Sequence, residues 1–158
     1  MDQYPLLRNL NPIEIQTFQQ NRYPCFFLDC IEEALPGKYA RGYKCFTYNE
    51  WFFPAHFEDE PNVPGFIQIE TLTQAFLMTF LTIPENKGFK TAFLTSKATF
   101  KKKIVPGMRL DIYAELASFR RGIAIGRSTG TIQGNFACQV DLTVCIPDVL
   151  NKFIPQKS

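Results

Sequence analysis

Residues 66–83, FIQIETLTQAFLMTFLTI, form an apolar run closed by proline at both ends: Pro64-Gly65 precedes it and Pro84 follows it. A helix made from this run is apolar nearly all round and must be covered on most sides. The run falls short of the roughly 20 residues a bilayer span needs, and it carries Gln68, Glu70 and Gln74. A buried helix over 66–82 is therefore expected, and the rest of the chain has to supply its cover.

That cover reads as sheet. Leu110, Ile112, Ala114 and Leu116 alternate with Arg109, Asp111, Tyr113 and Glu115. Phe136, Cys138, Val140, Leu142, Val144 and Ile146 alternate with Ala137, Gln139, Asp141, Thr143 and Cys145. Period-two alternation puts one face of a strand inside and one outside. Further strands are expected at 26–34, 38–47, 92–101 and 123–132. Turns are expected at Pro36-Gly37, Pro106-Gly107 and Gly134-Asn135. Near the N-terminus, Asn11-Pro12 with Glu14 is a helix-start signature, so a helix is expected to about Gln20. The sum is an α+β chain: an antiparallel sheet of about six strands curled around one long central helix. Residues 1–158 read as a single domain, with a helical segment at 1–20 and a loose tail at 147–158.

Composition narrows the function classes. With 46% hydrophobic and 20% charged residues, the chain can bury a core without disulfides or a structural metal. A net charge of +2, without zinc-finger spacing or a glycine-rich phosphate loop, gives no sign of nucleic acid as a partner. The five cysteines, at 25, 30, 45, 138 and 145, include no C-x-x-C pair, and the chain has a single histidine. They read as reduced core or strand residues, and no metal or cofactor is expected. The start MDQYPLLRNL lacks the pattern of a signal peptide, so a cytoplasmic protein is expected.

The single histidine, His56, lies fourteen residues before Glu70, with the Pro64-Gly65 turn between them. Imidazole changes charge near neutral pH and serves as a general base. A carboxyl group kept from water tends to hold its proton, and a protonated carboxyl can donate to a leaving group. Gly65, at the helix start, leaves its N–H unobstructed toward developing negative charge. Base, acid and oxyanion donor suit proton abstraction beside a carbonyl with loss of a β-hydroxyl as water. The plainer readings stand beside this one. A lone histidine among aromatics is often structural, and Gln74, one turn on, would bond Glu70 in a purely structural helix too.

The segments NRYPCFFLD, NEWFFPAHFEDEPNVPGFIQIETLTQA and ATFKKKIVPGMRL resemble, in order and from about Asn21 to Ile146, the 3-hydroxyacyl-acyl-carrier-protein dehydratases of type II fatty-acid synthesis. That resemblance implies a hotdog fold and a dehydratase that turns a (3R)-3-hydroxyacyl thioester into the trans-2-enoyl thioester. It implies His56 as base, Glu70 as acid, Gly65 as the donor to the thioester carbonyl and Gln74 as the residue that orients Glu70. Phe66 becomes a substrate contact; with Phe76, Phe80 and Phe93 it is a candidate for an acyl tunnel, though rings at helix and strand spacing are more often plain core. Lys101, Lys102 and Lys103 become candidates for docking an acyl carrier protein, against the alternative of a solvated charge run. The carrier is acyl carrier protein or coenzyme A. The assembly implied is a homodimer with shared sites, His56 from one chain and Glu70 from the other, or a hexamer built as a trimer of dimers.

The chain departs from the resemblance at several points. Ala55 stands where a glycine precedes the histidine, and Asn21 where a histidine opens the first motif. Glu58-Asp59-Glu60 puts acid near the site, and Met108-Arg109 replaces a Gly-Asp type pair. Two further functions remain open on the same fold: an acyl thioesterase, which releases a free thiol, and a non-catalytic acyl-binding protein.

Overall fold

The computed structural model describes residues 3–155. The first two residues of the expected N-terminal segment and the last three of the expected tail lie outside that range. Seven antiparallel strands make one sheet: β1 (Leu7–Leu10), β2 (Cys30–Leu35), β3 (Tyr39–Cys45), β4 (Ala92–Phe100), β5 (Arg109–Arg120), β6 (Ile123–Ile132) and β7 (Asn135–Cys145). Their order is β1-β2-β3-β5-β6-β7-β4, which leaves β1 and β4 as the edges. The long helix α2 (Gly65–Leu81) packs on β3, β5, β6 and β7. This is the α+β curled sheet around a central helix expected from the sequence, with one strand more.

Thirteen residues of α2 are buried, Thr71, Thr73 and Thr79 among them. Threonine is tolerated there because its hydroxyl donates back to a carbonyl of the preceding turn: Thr71 to Ile67, Thr73 to Ile69 and Thr79 to Phe76, each at 2.7 Å. Phe76, Phe80 and Met78 are fully buried against the sheet. Gly126 on β6 is what lets α2 come so close. A Cβ there would stand 2.5 Å from the Phe76 ring and 2.1 Å from the Glu115 carbonyl oxygen.

Differences from the sequence expectations have local causes. The N-terminal helix α1 (Pro12–Ile15) has its capping box, with Asn11 Oδ1 accepting from Glu14 N–H and Glu14 Oε2 accepting from Asn11 N–H. It is a single turn, not a helix to Gln20. The Arg22 guanidinium takes the carbonyls of Gln16, Gln19 and Asn21, and the Gln16 carbonyl is one a helix to Gln20 would have needed. The expected strand at 26–34 begins only at Cys30, because Phe27 N–H donates to the Gln74 side chain on α2 (2.8 Å) instead of to a neighbouring strand.

The hairpin between β6 and β7 turns at Gln133-Gly134, one residue before the expected Gly134-Asn135. Both turn residues have positive φ, 51° and 77°, as in the Arg121-Gly122 turn between β5 and β6 at 52° and 79°; these are the values a two-residue turn with matching twist requires. The expected loose tail forms a short helix, α3 (Pro147–Leu150), and a 3₁₀ turn at Asn151–Phe153. Val149 packs on the core, and Arg121 lies over the Phe153 ring.

All five cysteines are free. Burial pushes the Cys138 thiol up to about 12, which keeps it protonated and inert. Cys25 is exposed and lies in a loop, not in the core or a strand. No helix among the described residues is long and apolar enough to cross a membrane.

Candidate active site

Glu70 lies on the second turn of α2 and is half-buried in the single chain, less enclosed than its oily neighbours suggest. It faces a groove of about 500 Å³ walled by the rings of Phe27, Trp51, Phe66 and Phe93. Phe66 is 64% exposed and precedes Glu70 by four residues, so ring and carboxylate share one helix face. Phe93, on the edge strand β4, closes the opposite side. Of the four phenylalanines named from the sequence, Phe66 and Phe93 line the groove. Phe76 and Phe80 are fully buried core.

Gln74 fixes the carboxylate. It is fully buried, and its Nε2 donates to Glu70 Oε1 at 2.9 Å and to the Cys25 carbonyl at 2.7 Å. Its Oε1 accepts from Phe27 N–H. With both ends engaged, the amide cannot rotate freely, and its donor edge points at Glu70. Gln19, also fully buried, donates to the main-chain oxygen of Gln74 (3.1 Å), and Asn21 donates to Gln19 Oε1 (2.8 Å). The segment before the groove is thereby tied to α2. Asn21 also borders a smaller cavity of about 200 Å³ beside Glu70, with Thr73 and Thr91.

Gly65 is the first residue of α2, and Pro64 before it supplies no side-chain cap. The N–H groups of the first turn are thus free of side-chain acceptors at the end of the helix where the dipole favours negative charge. A Cβ at Gly65 would meet the Phe100 ring at 3.2 Å. Glycine allows that ring, at the end of β4, to close over the helix start.

His56 follows a series of tight turns anchored by the buried Phe52 and Phe53. Its Nδ1 lies 3.1 Å from the Asn62 carbonyl oxygen. A carbonyl only accepts, so Nδ1 carries the hydrogen and the Nε2 lone pair is left free. Asn62 N–H donates in turn to the His56 carbonyl (2.8 Å), which closes the loop. Ala55 sits outside the positive-φ region, where alanine needs none of glycine's freedom. Among the described residues, His56 does not line the groove that holds Glu70. Within one chain Glu70 and Phe66 line the groove, Gln74 bonds Glu70, and neither Gly65 nor His56 is among the residues that line it.

The base of the His56 loop rests on an ion pair that sequence reasoning missed. Lys44, 7% exposed on β3, meets Glu50 at 2.6 Å and Asp29 at 3.6 Å. Asn62 was missed as well, since its role uses a main-chain oxygen and leaves no side-chain signal. Gln19, near the expected end of the N-terminal helix at Gln20, carried no sequence signal of its burial. Lys103 pairs with Glu60, and that contact holds the Glu60 carboxyl below the usual range. Lys101 and Lys102 donate main-chain N–H groups to the Ala137 carbonyl. Arg109, the departure after Gly107, bonds Asp111 and Glu32 and lies over the Tyr43 ring. A larger hollow of about 610 Å³ on the outer sheet face includes the Arg127–Asp141 pair and none of the residues named from the sequence as site candidates.

The model of the FabA-like domain matches residues 21–141. The 3-hydroxyacyl-[acyl-carrier-protein] dehydratase FabZ of Clostridium novyi (strain NT) is 38% identical over 135 residues, covering 84% of this chain and 94% of the relative. The FabZ of Enterococcus faecalis (strain ATCC 700802 / V583) is 37% identical, over 84% and 95%. Among solved structures, the dehydratase heterocomplex ApeI:P from Xenorhabdus doucetiae is similar with a TM-score of 0.72 at 15% identity, covering 90% of this chain and 97% of that one. A hypothetical thioesterase with coenzyme A from Streptococcus pneumoniae TIGR4 shares the fold at a TM-score of 0.54 and 15% identity, over 70% and 80%.

Proposed function

The chain belongs to the FabA-like family, and on that premise we propose that it is a 3-hydroxyacyl-thioester dehydratase, a carbon–oxygen lyase acting on a (3R)-3-hydroxyacyl chain borne by acyl carrier protein. The observation that carries this reading is Glu70, held at one oxygen by Gln74 in an aromatic-walled groove one turn from the uncapped start of α2. Dehydration needs a proton donor at C3, an apolar bed for the acyl chain and a donor for the thioester oxygen; the groove supplies the first two, and the uncapped start of α2 supports the third. His56 Nε2 takes a proton from C2, and Gly65 N–H bonds the thioester oxygen as charge builds there. Glu70 gives its proton to the C3 hydroxyl, which leaves as water. The C2–C3 double bond forms and the thioester stays intact.

The base comes from a second copy of the chain. Two features support this: His56 does not line the Glu70 groove among the described residues, and β4 ends the sheet with an open edge. Phe93, Leu94 and Phe100 on that strand are 46–49% exposed. An apolar edge of this length calls for a cover, and a two-fold partner would bring one His56 to each Glu70. The same reading extends to a hexamer built as a trimer of such dimers. Lys101–Lys103, which follow β4, suit an acidic carrier. The test follows the product from carrier-bound 3-hydroxyacyl substrates of several lengths. Enoyl thioester is the expected product, lost by about 10²–10⁴-fold in folded His56→Ala and Glu70→Gln variants. Free thiol would make the protein a thioesterase, and wild-type turnover in either variant would remove that residue from the chemistry.

A further inference from the structure

The loop that carries His56 also carries three acids, Glu58, Asp59 and Glu60, and it lies against the lysine run that follows β4. The loop is closed by its own main chain. Phe57 N–H donates to the Glu60 carbonyl, Glu60 N–H donates back to Phe57, and Asn62 N–H donates to His56. Val63 N–H donates to the Ile104 carbonyl at 2.8 Å, which pins the end of the loop one residue from Lys103. Across this seam the Lys103 ammonium and the Glu60 carboxylate form an ion pair, both side chains more than half exposed. The side chains of Lys101 and Lys102 meet no carboxylate among the described residues. Glu58 and Asp59 are exposed on the same loop.

We infer that Glu60 is an internal competitor for the lysine run: it occupies Lys103, so that an acidic carrier surface docks only by displacing it. This rests on the reading that the lysines dock the carrier. Three observations support the competition. The pair is exposed, so its strength is small, and a dense array of carboxylates or a phosphate can outbid it. Glu58 and Asp59, on the same loop, extend the negative field beside the lysine run and repel weakly matched acidic partners, which sharpens the choice of carrier. The loop holds its shape through main-chain bonds, so release of the Glu60 side chain leaves the His56–Asn62 contact in place. The effect therefore falls on docking and not on the chemical step.

The experiment compares Glu60→Gln with wild type on one 3-hydroxyacyl group, presented on the acyl carrier protein and as a small N-acetylcysteamine thioester. At low salt, Glu60→Gln should lower KM for the carrier-borne substrate about two- to fivefold, the range of an exposed pair. The kcat, and both constants for the small thioester, should not change. The difference should vanish by about 0.5 M salt, where screening acts within a few ångströms. An unchanged or higher carrier KM overturns the inference, as does a fall in kcat on the small thioester. A Lys101→Gln/Lys102→Gln double variant separates the two levels. If it raises the carrier KM while Glu60→Gln does nothing, competition fails and docking stands; if it leaves the carrier KM unchanged, docking fails and the competition with it.

Discussion

Gln74 donates to Glu70 across 2.9 Å, one helical turn apart, while the same amide is held at 2.7 Å and 2.8 Å by the main chain of Cys25 and Phe27. A single buried side chain thus joins the helix, the loop that walls the groove and the carboxylate assigned the acid role. Fold and site share this residue, and its loss should register in both.

Gln74→Leu keeps the volume but leaves Phe27 N–H and the Cys25 carbonyl without their partner. Unpaired buried groups cost about 1–3 kcal/mol each at most, so a stability loss of about 2 kcal/mol is expected by urea denaturation. Glu70 also loses its fixed donor, and kcat should fall about tenfold, or 1.4 kcal/mol of barrier. A variant equally stable and equally active would make the hydrogen bond incidental.

In a shared-site dimer, His56→Ala and Glu70→Ala chains mixed in one assembly leave one site with both groups and one with neither. Refolded together, the two inactive variants should recover up to about half of wild-type turnover per mixed dimer. Each alone stays inactive. Proven exchange of chains without recovery would put His56 and Glu70 in one chain's site.

Glu50→Ala removes the 2.6 Å partner of Lys44, whose side chain is 9% exposed, and leaves Asp29 at 3.6 Å. Breaking a buried pair from one side is costly, and about 3 kcal/mol is expected in thermal or urea unfolding. Lys44→Met combined with Glu50→Ala should recover much of the loss. If the double variant is no better than the single one, the uncompensated ammonium is not the cause.

Glu33 accepts hydrogen bonds from Tyr39 and Arg8. The Tyr39 hydroxyl, with the arginines at 8 and 41, holds its carboxyl below the usual range. A carboxyl depressed in the folded state lends stability that is fully present above its unfolded value and is lost as pH falls toward the folded one. Below about pH 4.5, wild type should therefore lose stability faster than Glu33→Gln. Parallel acid limbs for the two proteins would show that Glu33 contributes nothing to the pH dependence.

What the sequence disclosed follows from periodicity. β5 and β7 alternate, so their inner faces were legible along most of their length. Phe136, expected inside, is 41% exposed and Ala137 is buried, where the β6–β7 register shifts at Gly130/Thr131. The apolar run between Pro64 and Pro84 placed α2 to within one residue at each end. β1 was not legible, because four residues, two of them polar, carry no period, and its pairing with β2 is a tertiary fact. Buried polar residues escaped for a related reason. Lys44 and Gln19 look like surface residues until their partners, 6 and 55 positions away, are placed beside them. At the site, Glu70 and Gln74 stood out because they interrupt an oily helix. The order of His56 and Glu70 along the chain, by contrast, says nothing about whether one copy of the chain brings them together.

β4 is at once the last strand of the sheet and a wall of the Glu70 groove, through Phe93 and Ser96. Whatever seats itself along that edge also finishes the groove, so under the shared-site reading a folded chain and a working chain are separate species joined by a concentration-dependent step. Dilution then acts as an inhibitor that needs no ligand, and a weakened edge contact would silence the protein while leaving the spectrum of a folded chain, with a melting temperature that falls as the protein is diluted.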